Sequence, residues 1–264
     1  MLRKKIHFLC SLPRSGNTVF GALLNSTNKM LATPNSLTPE IIYQLHLLKN
    51  HALFINFPNH KSLDYLISEA LQLYYRDWDK QVILDRGPWG LRDNLLLTKK
   101  INKNCKYIIL HRPFLECLAS MVRISKPDNV EEYCNFLMQD DGIFGKSVKS
   151  ILNLINSKNK FKIIYYKKLT LNPIKELNSV LKYLNIKSNI KKIKLKDFNI
   201  NNIKYNDSYL GVDMHKIDLD IRPAKEYSKI DIESYLSKKI INKYKEIDSL
   251  LQKKIYGKRN TLSN

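Results

Sequence analysis

The chain of 264 residues is poor in the features that staple or punctuate a fold. Its four cysteines, Cys10, Cys105, Cys117 and Cys134, stand at spacings that match neither a metal-ligand pattern nor a disulfide framework. That excludes a disulfide-rich secreted domain, and reduced thiols imply a cytoplasmic setting. No stretch approaches the roughly 18 uncharged apolar residues of a membrane span, so no transmembrane segment is expected. Met1 to Lys5 begins like the basic region of a signal peptide, but the apolar run after it covers only Ile6 to Leu12. The sequence PRSGN cuts that run before any cleavage-like site. There is no internal repeat, and no linker rich in Gly, Ser or Pro marks a boundary. A single domain over residues 1–256 is therefore expected, with 257–264 a frayed tail. Acidic residues are also scarce: 24 Asp and Glu face 45 Lys and Arg, for a net charge of +21. Such an excess fits a polyanionic partner. Much of it, however, is Lys scattered through an Ile- and Asn-rich background between Lys158 and Lys204, the pattern of a coding bias. No stacking-aromatic motif, zinc knuckle or helix-turn-helix accompanies the charge, so nucleic acid is not the expected partner.

What the chain does contain is an alternation of short apolar runs and amphipathic stretches. Ile6 to Leu12, Gln81 to Leu84, Cys105 to Leu110 and Phe161 to Tyr166 read as strands. Val19 to Leu24, Glu40 to Leu48, Lys61 to Trp78, Leu91 to Ile101, Phe114 to Arg123 and Val130 to Asn156 read as helices, the last interrupted near Asp140-Asp141-Gly142. Asn172-Pro173 opens a further helix to Leu184, with Asn172 as its cap, and Asp231 to Ile255 closes the chain as an amphipathic helix. Lys29 to Pro39 and Ile186 to Lys229 read as loops. Strands alternating with helices specify an α/β fold, a central parallel sheet covered on both faces.

In such a sheet the ligand crevice lies outside the carboxyl ends of the strands. That rule selects Pro13 to Thr18, Asp85 to Trp89, His111-Arg112 and Tyr166-Lys167 before any motif is invoked. Pro13-Arg14-Ser15-Gly16-Asn17-Thr18 joins a strand to a helix N-terminus, where unpaired backbone N–H groups and the positive end of the helix favour an anion. The Gly-x-x-x-x-Gly-Lys-[Ser/Thr] spacing of an ATP loop is absent. Arg14, Arg86 and Arg112 all fall at strand ends. Three guanidiniums converging on one crevice repel one another unless an anion fills it, which implies a ligand with several negative groups.

These stretches resemble the sulfotransferases that use 3′-phosphoadenosine 5′-phosphosulfate. Leu12 to Thr18 is similar to their 5′-phosphosulfate loop, in the Pro-Arg-Ser-Gly-Thr-Thr form of the tyrosylprotein branch. Lys106 to Pro113, with Ser120 eight residues after Arg112, is similar to their 3′-phosphate element. Phe161 to Leu169 followed by Asn172-Pro173 resembles their third landmark, with Lys167 and Lys168 in place of its acidic pair. The resemblance covers roughly residues 6–185 and implies a P-loop-type three-layer α/β/α architecture with that nucleotide as donor and no metal. It assigns the donor to Pro13, Arg14, Ser15, Gly16, Asn17, Thr18, Arg112, Ser120 and Tyr166. It casts Arg14, with the loop amides, as the catalytic grip on the 5′-phosphosulfate, and Arg86, at the position of a family Lys, as the group that neutralises charge developing between sulfur and the leaving phosphate. It also sets Asp213 to Lys216 and Ile221 to Lys225, including Arg222, in a C-terminal loop that returns over the nucleotide.

A loose, in-line transfer asks the protein mainly for orientation and charge stabilisation. The base that takes the acceptor's proton is the open point. Small-molecule members of the family place a His where this chain has Pro88, and the tyrosylprotein branch places a Glu where it has Thr33 to Ser36. His215, Asp85 and Glu40 remain as candidates, the two acids needing a raised pKa. The acceptor, a carbohydrate, lipid or peptide hydroxyl or an amine, is not encoded in any motif. Two other readings compete: a nucleotide kinase-like phosphotransferase of related architecture, disfavoured by the missing Lys-[Ser/Thr] pair, and a catalytically degenerate nucleotide or nucleic-acid binder of the same fold.

Overall fold

The structure, a computed structural model, describes residues 3–193, 199–200, 203–205, 208–209, 212–213 and 227–257. The first half of the chain runs β1 (Lys5–Ser11), α1 (Asn17–Ser26), β2 (Leu31–Ala32), α2 (Thr38–Leu47), α3 (Ala52–Asn56), α4 (His60–Tyr74), β3 (Val82–Arg86), α5 (Arg92–Ile101) and β4 (Tyr107–His111). It continues with α6 (Phe114–Ser125), α7 (Val130–Leu137), α8 (Ile143–Asn156), β5 (Phe161–Tyr165), α9 (Tyr166–Leu171) and α10 (Pro173–Tyr183). Two small hairpins follow, β6 (Asn199–Ile200) with β7 (Ile203–Lys204) and β8 (Ser208–Tyr209) with β9 (Val212–Asp213), and α11 (Lys238–Gly257) completes the described chain. No helix among the described residues is long and apolar enough to cross a membrane.

Five strands form the main sheet in the order β2-β3-β1-β4-β5, every pair parallel. Side chains alternate across a strand, so each apolar run feeds two cores at once. On one face Ile6, Phe8 and Cys10 of β1 join Ile83, Tyr107 and Ile109 against α4, α5, α6, α8 and α11. On the other, Leu9 joins Leu84, Ile108, Leu110 and Ile164 against α1 and α10. The result is the expected α/β/α layering, with the central strand β1 buried on both sides. From β1 the chain turns toward β2 and β3, and from β4 it turns the opposite way toward β5. The neighbouring carboxyl ends of β1 and β4 are therefore the topological switch point, where open α/β sheets place their ligands.

Several boundaries differ from the sequence reading, each for a local reason. β2 is only two residues long and is held by pairing with Ile83 and Leu84, so no periodicity marks it within the expected loop. The expected long helix after Val130 is two helices, α7 and α8, parted by the turn at Asp140 to Gly142. Asn172 precedes α10 but makes no capping bond with its side chain; Pro173 opens the helix instead. The last helix begins at Lys238 rather than Asp231, whose carboxylate is tied up with the Ser234 hydroxyl in the preceding turn (2.6 Å). Helix α6 follows Pro113, which supplies no side-chain cap. Its first N–H groups donate instead to Asp248 of α11, Phe114 at 2.6 Å and Leu115 at 3.4 Å.

Two buried polar groups frame the sheet. Asp85 on β3 is fully buried and accepts hydrogen bonds from Thr38 (2.5 Å), Tyr75 (2.5 Å), Ser36 (3.2 Å) and the Trp89 indole (3.2 Å). It thereby ties the start of α2 and the residue after α4 to the strand. His111, at the end of β4, lies edge-on to Tyr165 and Tyr256, and its Nε2 has no hydrogen-bond partner among the described residues. Burial pushes its pKa down to about 4.

Replacing Asp85 by Ala strands these donors without an acceptor and should cost about 2–4 kcal/mol in urea unfolding, more than Asp85→Asn, whose amide oxygen still accepts. His111 binds its proton more readily unfolded than folded, so acid destabilises the native state as pH falls from about 6.5 to about 4. In His111→Phe that acid sensitivity should shrink by about 1–3 kcal/mol across the window, read as a flatter dependence of stability on pH than in the parent.

Candidate functional site

The turn between β1 and α1 is shaped from inside. The Leu12 carbonyl accepts from the Ser15 hydroxyl at 2.7 Å and from the Asn17 amide at 2.8 Å. Both side chains, expected to face a ligand, are spent largely on the loop itself, Ser15 fully buried. Arg14 takes the left-handed conformation at φ 63, and Gly16 at φ 93. At Gly16 two constraints coincide. A Cβ there would stand 2.5 Å from Cε2 of Tyr166, so only hydrogen fits beneath that ring. Helix α1 then starts with no side-chain cap bond and no acidic residue in its first turn, so its own sequence does not offset the positive end of its dipole.

Two cavities flank this loop, and Arg14 lines both. One, of about 270 Å³, is bounded by Arg14, Gly16, Arg112, Ser120, Arg123 and Tyr166, with Ser228 and Ile230 from the segment before α11. Arg112 is nearly buried. Its Nε donates to Glu116 at 3.2 Å, its NH1 donates to the Arg14 carbonyl at 3.1 Å, and its guanidinium lies 4.8 Å over the Tyr166 ring. Those contacts hold the fork in one orientation between the two strand ends. The Arg14 Nε approaches the Ser120 hydroxyl at 3.4 Å. Glu116 also accepts from the Tyr227 hydroxyl, one residue before the Ser228 that lines this cavity; residues 214–216 and 221–225, expected to return over the nucleotide, lie outside the described residues.

The other cavity, of about 300 Å³, has Pro13, Arg14, Asn17 and Thr18 on its loop side and Arg86, Gly87 and Pro88 on its β3 side. Asn35, Met121, Lys146 and Tyr205 add to its wall. Arg86 donates to the Pro34 carbonyl at 2.5 Å, and its backbone N–H donates to Thr33 at 2.8 Å, so the strand end and the loop before α2 are fastened together. Of the expected residues, the structure thus brings Arg14, Gly16, Arg112, Ser120 and Tyr166 into one cavity and Pro13, Arg14, Asn17, Thr18 and Arg86 into the other. Ser15 is buried and lines neither.

The acid candidates for a base do not join them. Asp85 points into the interior, away from Arg86, and lines neither cavity. Burial pushes its carboxyl up to about 6, against the pull of its donors. Glu40 is exposed on α2 and accepts from Gln44 at 2.7 Å. Trp89 is a core residue packed on Phe8, with ring centroids 4.3 Å apart, not a wall of the site. His215 and Arg222 lie outside the described residues.

Among the cavity residues that escaped the sequence reading are Arg123, Lys146, Ser147 and Ser228. Arg123 had a signal, since it follows Ser120 by three residues and shares its helix face. The others arrive by tertiary packing and had none.

Comparison with known proteins follows the same lines. No curated protein matches the chain. Among solved structures, mouse sulfotransferase SULT7A1 complexed with PAP aligns over 96% of this chain and 89% of its own, at 14% identity and a TM-score of 0.55. The sulfotransferase domain of the Synechococcus PCC 7002 olefin synthase aligns over 71% of this chain and 76% of its own, at 18% identity and a TM-score of 0.50. At these identities the likeness concerns the fold. The family model of the sulfotransferase domain, in contrast, matches residues 5–257, nearly the whole chain. With a phosphate-type loop at the switch point and arginines gathered around it, the chain belongs to the sulfotransferase domain family, the enzymes of sulfuryl transfer.

Proposed function

We propose that the enzyme takes its sulfuryl group from 3′-phosphoadenosine 5′-phosphosulfate and passes it to a hydroxyl or amine. The observation that carries this reading is Arg14, which lines both cavities and so sits where a donor held on one side would present its reacting end to the other. On the nucleotide side, Arg112, Ser120 and Arg123 supply cationic and hydroxyl donors for the 3′-phosphate, and Tyr166 supplies a ring face. The loop from Pro13 to Thr18, with the N-terminus of α1, receives the 5′-phosphosulfate. Arg86 stands on the transfer side, where charge grows on the oxygen bridging sulfur and phosphorus.

In the reaction the bond from sulfur to that bridging oxygen breaks as a bond from sulfur to the acceptor atom forms. The acceptor gives up its proton, and 3′-phosphoadenosine 5′-phosphate leaves. The transition state is loose, so the arginines contribute by alignment and by stabilising the leaving oxygen. This assignment needs no metal: the loop lacks the Lys-[Ser/Thr] pair that seats magnesium beside a nucleotide, and a sulfuryl group carries less charge than a phosphoryl group. One domain accommodates the whole reaction, and the four free thiols support a cytoplasmic setting.

Calorimetry with 3′-phosphoadenosine 5′-phosphate tests the donor. Ser120→Ala should weaken binding about threefold to tenfold and Arg112→Ala about tenfold to a hundredfold. Neither should change the weak binding of adenosine 5′-phosphate, which lacks the 3′ group. Equal losses for both nucleotides would remove these residues from the proposed role. Gly16→Ala forces a clash with Tyr166 at a left-handed position, and should lower both stability, by about 1–3 kcal/mol, and nucleotide affinity.

A further inference from the structure

The transfer-side cavity has a charge pattern that the donor alone does not explain. Its charged lining residues among those described are Arg14, Arg86 and Lys146; no Asp, Glu or His is with them. Arg14 also faces the nucleotide cavity, and Arg86 is fastened to the loop before α2. Lys146 is different. It lines only the transfer side, it is half-buried, and no carboxylate among the described residues pairs with it, although its neighbour Lys149 on the same helix binds Asp140 at 2.6 Å. It projects from the first turn of α8, whose N-cap Gly142 has no side chain to offer, and the two carboxylates before that cap are exposed, Asp140 paired with Lys149. An anion entering this recess meets three cations and no carboxylate among the described lining residues.

We infer that Lys146 is the recognition point for an acceptor that carries its own negative group, a carboxylate, sulfate or phosphate beside the hydroxyl or amine that is sulfated. This rests on the reading of the second cavity as the transfer side. Ile143, Met121 and Pro88 supply apolar wall around the charge, so the acceptor offers a short apolar or ring portion between its anion and its nucleophile. The arrangement also orients that acceptor. With the anion drawn to α8, the nucleophilic end is directed across the cavity toward Arg14 and Arg86, where the sulfuryl group is presented.

The test uses a pair of probes alike in shape and different in charge: para-hydroxyphenylacetate and its uncharged amide. Each is titrated into the full chain saturated with 3′-phosphoadenosine 5′-phosphate, followed by ligand-observed NMR. The carboxylate should bind about tenfold more tightly than the amide, that preference should fall below about twofold in Lys146→Gln, and Lys146→Arg should restore most of it. Nucleotide affinity should stay the same in both variants. Equal binding of the two probes, no binding of either, or a preference that survives Lys146→Gln overturns the inference. A loss of nucleotide affinity in Lys146→Gln also overturns it, by moving the lysine to the donor. If the parent protein binds no nucleotide, the donor assignment fails by itself, and the probe pair is read on the unliganded chain by the same criteria.

Discussion

Everything at this site depends on a single carbonyl. By accepting from both Ser15 and Asn17, the oxygen of Leu12 folds the turn after β1 back on itself and turns its polar side chains inward. The turn can then place Arg14 in a left-handed conformation, with its own carbonyl aimed at the Arg112 guanidinium. The two strand ends at the switch point are so joined by a backbone acceptor and a side-chain fork. Glu116, one helical turn beyond Arg112, pairs with that guanidinium and offsets part of the local positive charge.

This arrangement leaves a positively charged site on purpose-built supports. Buried ion pairs return little net stability, so the Arg112–Glu116 pair is better understood as fixing direction than as holding the fold together. The fold is held elsewhere: by apolar residues that alternate between two cores along each strand, and by Asp85, which gathers hydroxyl and indole donors beneath the transfer side. Stability and binding are thus carried by different residues of the same strand end. Asp85 faces inward and Arg86 outward, as strand alternation requires.

The same alternation explains what could be read from the sequence. Buried runs such as Tyr107 to Leu110 announce strands because both faces are covered, and the arginines at their ends follow from topology alone. The loop from Pro13 to Thr18 was legible as a strand-to-helix turn at the switch point, but the inward duty of Ser15 was not, since a serine in a turn carries no mark of which way it faces. Asp85 read equally well as a base, because only tertiary packing brings Tyr75 and Trp89 to it. Lys146 was invisible for the converse reason: one lysine among many, distinguished by a wall it reaches only once α8 is packed against the sheet. The two-residue strand β2 and the short α9 have too few residues for any period to show.

The cap on α6 has a temporal side. Phe114 N–H and Leu115 N–H wait for a carboxylate that the ribosome delivers 134 and 133 residues later, at Asp248. Until α11 has emerged and docked, the helix that carries Ser120 and Arg123 begins with bare amides, and its register against Arg112 is unsecured. The sheet can assemble while the chain is still growing, but the cavity beside Arg112, Ser120 and Arg123 gains its capped helix only when α11 docks.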